Sequence, residues 1–97
     1  MEFNDYLVRI YNGESLIFEP DGTVISVTPE NDYSFSLEEL QHIVNGWIEI
    51  LTVSDRIKIV MNEEGRPLHL PLNVKASLTF GVELRGAVLA CQRTKLE

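Results

Sequence analysis

"FSLEELQHIVNG", residues 35–46, is the stretch from which the fold is read most directly. Ser36 followed three positions later by Glu39 makes a capping box, in which each side chain satisfies a backbone N–H that a helix start leaves open. Phe35 and Leu40 have the spacing of a hydrophobic staple across that start. Leu37, Leu40, Ile43 and Val44 lie on one helical stripe, and Gly46 suits the left-handed residue that closes a helix. The spacing predicts a helix over residues 36–45 with an apolar side to bury. His42 falls off the stripe beside the last carbonyls and reads as a dipole-facing surface histidine.

Beyond the helix, Trp47–Val53 (WIEILTV) and Arg56–Met61 (RIKIVM) read as two strands joined tightly through Ser54-Asp55. Trp47, at a strand start, is expected to lie as a lid on the core. Before the helix, Ser15–Glu19 and Thr23–Thr28 flank Pro20-Asp21-Gly22, the composition of a type I turn closed by a left-handed glycine. Tyr6–Tyr11 (YLVRIY) reads as a further strand, ended by Asn12-Gly13. Near the C-terminus, Asn73 is placed to cap a short helix over 74–80 that Gly81 ends, and Glu83–Cys91 reads as the last strand. Gly86 within it suggests a bulge, and Cys91 a small buried residue.

The order predicts an α+β domain over residues 1–95: a largely antiparallel sheet of five to six strands, with both helices on one face. Leu96-Glu97 is read as the scar of an expression tag and left out of the fold. A chain of 97 residues with 44% hydrophobic content has room for one core. A lone Cys91 excludes an internal disulfide framework and a multi-cysteine zinc site. No apolar run reaches the roughly 18 residues of a membrane span, and Met1-Glu2-Phe3-Asn4-Asp5 lacks a basic leader. The expectation is a cytoplasmic protein that binds no membrane, as a monomer or weak homodimer.

Net charge is −7, and it is unevenly spread. Residues 1–50 hold ten acidic side chains against the single base Arg9, whereas residues 51–97 hold five acids and seven bases. An acidic half opposes phosphate, so no nucleic-acid partner is expected. Because the acids are scattered, they read first as solvated surface and only second as a face for a basic partner.

"MNEEGRPLHLPLN", residues 61–73, is the one polar stretch with the composition of a site. As architecture, Asn62 and Gly65 shape a turn, Pro67 and Pro71 stiffen an extended return, and Asn73 caps the next helix. Leu68, Leu70 and Leu72 alternate along that return, with His69 opposite. As chemistry, Glu63, Glu64 and His69 offer metal ligands or a general acid–base pair. Adjacent glutamates in a turn splay apart, and no second His or Asp stands at ligand spacing. Neither a metal nor another cofactor is expected. Phosphate-binding loops, dinucleotide fingerprints, nucleophile elbows and Cys–His pairs are absent from the sequence.

Gly46-Trp47-Ile48-Glu49, Asn62-Glu63-Glu64-Gly65 and Leu70-Pro71-Leu72-Asn73 together resemble the domain of unknown function 3846 family. The likeness covers residues 36–91, and it implies small proteins of phages, plasmids and other mobile elements. The chain departs from the family pattern at Trp47, where a Tyr or Phe is expected, and in a longer N-terminal hairpin. The resemblance implies no reaction. The favoured reading is a non-catalytic accessory module that binds a protein partner. The alternative is a small-molecule or nucleotide-binding protein, or a minor enzyme, with Trp47, Asn62, Glu63, Glu64, His69 and Asn73 around a pocket.

Overall fold

The structure is a computed structural model that describes residues 3–96; the expectations placed on Met1, Glu2 and Glu97 lie outside it. The elements run α1 (Phe3–Tyr11), β1 (Ser15–Phe18), β2 (Val24–Val27), α2 (Leu37–Val44), β3 (Ile48–Thr52), β4 (Ile57–Asn62), α3 (Val74–Phe80) and β5 (Val88–Gln92). A 3-10 turn over Arg93–Leu96 follows. Five strands form one antiparallel sheet in the order β2-β1-β5-β4-β3, an α+β fold. The last strand is threaded into the centre, between two hairpins made earlier in the chain.

β5 sets the layering. Val88 and Ala90 join the cluster of Tyr6, Ile10, Leu16, Phe18, Ile57, Ile59 and Ala76, on the side of α1 and α3. Leu89 and Cys91 point the opposite way, to Phe35, Leu40, Val44 and Val60 beneath α2. The helices therefore cover both faces, not one as the strand order suggested. A central strand buried on both sides must be apolar at every position, and Val88, Leu89, Ala90 and Cys91 are.

Two further expectations are corrected. Tyr6–Tyr11 is helical: Tyr6 and Ile10, four apart, are buried while Val8 between them is exposed, a helical period and not an alternation. Asn12-Gly13 ends a helix instead of a strand. Gly13 takes φ +102°, its N–H reaches Ile10 O, and the Glu14 N–H reaches Arg9 O, the paired closure of a Schellman motif. The final strand begins at Val88 instead of Glu83, and Gly86 ahead of it has φ +76° with its N–H on Pro71 O. Leu96 is partly buried against the cluster beneath α2.

The local signals around α2 hold at its start. Ser36 Oγ accepts from Glu39 N at 3.1 Å and Glu39 Oε1 accepts from Ser36 N at 2.8 Å, so the capping box is complete. Phe35 and Leu40 are both buried as a staple requires, while Leu37 turns out to solvent. The left-handed residue at the other end is Asn45 (φ 57°, ψ 50°), not Gly46. Ser36→Ala should cost about 1 kcal/mol, the usual loss at an N-cap, measured by urea unfolding. The N–H groups of Ser36 and Glu30 hold the Glu39 carboxyl below its ordinary value. A carboxyl depressed in the folded state stabilises it fully above the unfolded value, and that contribution fades as pH falls through the folded one. Wild type should lose this contribution in acid, whereas Glu39→Gln, which has no carboxyl to titrate there, should not.

Candidate functional site

The segment from Asn62 to Asn73 is built by its two asparagines. Asn62, at the end of β4, is buried, and its Nδ2 donates to Val44 O (3.2 Å) and Asn45 O (3.3 Å). It thereby serves the open carbonyls at the C-terminus of α2, groups a helix end must satisfy somewhere. Its Oδ1 accepts from Glu64 N at 2.8 Å, an Asx turn that starts the loop. Gly46 makes room for this: a Cβ there would stand 2.6 Å from Asn62 Nδ2.

Residues 64–69 then wind into a single helical turn, replacing the extended return expected of Leu68, Leu70 and Leu72. Leu68 N–H bonds Glu64 O, His69 N–H bonds Arg66 O and Leu70 N–H bonds Gly65 O. His69 fills the left-handed position that ends this turn, at φ 53°. Gly65 is not left-handed; its place is set instead by close packing, since a Cβ added there would stand 3.3 Å from Arg85 Cβ. Asn73 is fully buried and caps α3 through Oδ1, which accepts from Ala76 N (3.2 Å). Its Nδ2 donates to Phe18 O and Gly86 O, both at 2.8 Å. These contacts tie α3 to β1 and to the approach of β5. Asn62 and Asn73 are therefore internal struts, with their amide groups engaged by backbone partners, although Asn62 also lines a cleft.

The remaining candidates are only partly brought together. Trp47 is 64% exposed, so it is no lid on the core. It faces Glu63 across the end of the β3–β4 ladder, where Glu63 N–H donates to Trp47 O. Glu63 lines a cleft of about 240 Å3 with Asn62, Glu49, Arg66, Glu83 and Arg85, to which Trp47, Glu64 and His69 do not contribute. Glu83, which the sequence reading passed over, is the centre of its charge. Its carboxylate meets Arg85 Nε at 3.0 Å and Arg66 at 3.4 Å, and Arg85 also donates to Leu70 O at 3.2 Å. Two arginines are thus spent on one carboxylate and a carbonyl. Nothing in the chain order, with Glu83 and Arg66 seventeen positions apart, announced that pairing.

Among the described residues no group of three His, Cys, Asp or Glu side chains lies close enough to hold a metal ion. Glu63→Gln with Glu64→Gln should leave stability within about half a kcal/mol, as exposed substitutions do. Added magnesium, calcium or zinc should raise the melting temperature of neither protein. A rise confined to the wild type would assign the glutamates to a metal. Cys91 is buried among apolar side chains, and desolvation pushes its thiol up to about 12. It holds its proton at neutral pH and is not a nucleophile. His42 and His69 are exposed, on α2 and on the loop before α3. No helix of the described residues is long and apolar enough to cross a membrane.

A five-stranded antiparallel sheet between two helical layers, with a structural asparagine at each end of its polar loop, defines a small α+β domain. The chain belongs to the family described as Domain of unknown function (DUF3846), whose model matches residues 13–96. That match starts at the glycine that closes α1 and runs through the C-terminal 3-10 turn, so α1 stands outside it. No curated protein and no solved structure matches the chain.

Proposed function

We propose that the protein is a non-catalytic accessory module, encoded by a mobile element, that works by binding a protein partner. The observation that carries this reading is the outer side of α3. Val74 and Leu78, one helical turn apart, are 54% and 60% exposed, and Leu72 and Val82 at the two ends of the helix are exposed as well. Residues four apart on a helix are neighbours. Their opposite side is spent on the core, where Ala76 and Phe80 pack. Apolar side chains grouped on one side of a short helix, and left in water, are costly unless something covers them.

The test is affinity capture from host lysate with wild type and with Val74→Glu/Leu78→Lys. That pair puts a glutamate in the first turn and a lysine four residues on, an arrangement that favours the helix. The variant should melt like wild type and lose the protein that wild type retains. Equal capture by both would remove α3 from the account. A second reading, a small-ligand protein, draws on the cleft beside Glu63 and Arg85. Against it stands the sharing of Glu83 by Arg66 and Arg85, an ion-pair cluster that a charged ligand would have to rearrange.

A further inference from the structure

The chain has eight basic side chains, and the structure sorts them. Arg9 pairs with Glu14, while Arg66 and Arg85 share Glu83. Lys75 donates to Gly22 O at 2.8 Å and lies over the Tyr6 ring. The other four are Arg56, Lys58, Arg93 and Lys95, and among the described residues none meets a carboxylate. All four belong to one end of the sheet, where β4 begins and β5 ends. In a protein of net charge −7, cations without acids gathered in one corner call for a reason.

The geometry is specific at two of them. Ile57 pairs with Gln92, and one step further the Arg93 N–H donates to Arg56 O at 2.7 Å. Arg56 and Arg93 are thus held directly opposite each other, the placement in which like charges weaken a strand pair. Among the described residues neither arginine makes an ion pair with a carboxylate. The two arginines line a cleft of about 210 Å3 with Gln92 and Thr94. The Gln92 side chain is steadied by donating to Tyr11 O at 2.9 Å. Lys58 is steadied likewise, with Nζ on Thr52 Oγ1 at 2.7 Å.

We propose that the cleft between Arg56 and Arg93 is a binding site for a compact phosphoryl group, carried by a small molecule. Two planar guanidinium groups offer paired N–H donors that match phosphate oxygens, and the hydroxyl of Thr94 adds a neutral donor. An anion seated there converts a repulsive pair into two attractive ones. The cleft is smaller than the roughly 300 Å3 and upward of most small-molecule sites, which suits a phosphoryl group with few atoms beyond it. A duplex would need a long basic stripe, and the ten acids of residues 1–50 oppose one.

The test is a titration with inorganic phosphate at constant ionic strength, followed by amide chemical shifts. Saturable shifts centred on Arg56, Gln92, Arg93 and Thr94 are expected. Arg56→Gln/Arg93→Gln should weaken the binding at least about tenfold, through lost charge-assisted hydrogen bonds. Arg66→Gln, an exposed arginine elsewhere, should bind like wild type. Non-saturating shifts, the general effect of an excluded salt, or equal binding by wild type and the double variant would overturn the site. Should the double variant fail to fold, wild-type shifts centred anywhere else would overturn it. A short DNA duplex bound more tightly than phosphate would replace the compact anion with a backbone-tracking surface.

Discussion

Asn73→Ala should lower the unfolding free energy by at least about 3 kcal/mol. The side chain has no exposed surface and uses three polar contacts: two donated, to Phe18 O and Gly86 O, and one accepted, from Ala76 N. Alanine removes three buried hydrogen bonds, and a polar group left without a partner in a dry interior costs about 1–3 kcal/mol. Asn73→Asp separates the cap from the strut. The aspartate keeps an acceptor for Ala76 but turns a second oxygen toward two carbonyls, so it should rescue little despite being a good N-cap. Urea unfolding measures both. A loss below about 1 kcal/mol for Asn73→Ala would mean that the loop repacks around the gap.

Gly46→Ala should cost about 2 kcal/mol, and for a reason that is not backbone strain. The added carbon would stand 2.6 Å from Asn62 Nδ2, so the Asn62 side chain has to leave Val44 O and Asn45 O, which then lie unsatisfied at the end of α2. The mechanism makes a sharper demand than the magnitude. In an Asn62→Ala background the same Gly46→Ala change should cost less than about 0.5 kcal/mol, because the clash and the bonds it breaks are already gone. Full additivity of the two substitutions would show that Gly46 is needed for something other than Asn62.

The parts of the fold that the sequence disclosed are those fixed within a few residues. The capping box at Ser36 and Glu39, the Gly81 end of α3 and the Pro20-Asp21-Gly22 turn are all local bargains, and all are present. In that turn the Gly22 N–H reaches Glu19 O and Gly22 takes φ +95°. Tyr6–Tyr11 failed because five apolar residues in six satisfy either period, and Asn-Gly stops a helix as readily as a strand. The second covered face was legible in principle. Ala87 to Cys91 is an unbroken apolar run, the mark of a strand buried on both sides. The roles of Asn62 and Asn73 were half visible. Each was read as a turn or cap residue, which it is, but their donors reach partners 13 to 55 positions away. No local pattern encodes such a partner. The candidate residues therefore separate in the structure: Asn62 and Glu63 line the cleft, Asn73 is a buried strut, and Trp47, Glu64 and His69 lie outside it.

Hydrogen exchange on the complex with the captured protein tests most directly whether the domain works through the outer side of α3. The amides of α3 and of the residues that flank it, 72–82, should exchange more slowly in the complex than in the free protein. Those around Glu63, Gly65 and Arg85 should be unchanged. Protection confined to the Glu63–Arg85 cleft, with 72–82 exchanging as before, would contradict the account and turn the polar loop back into the site.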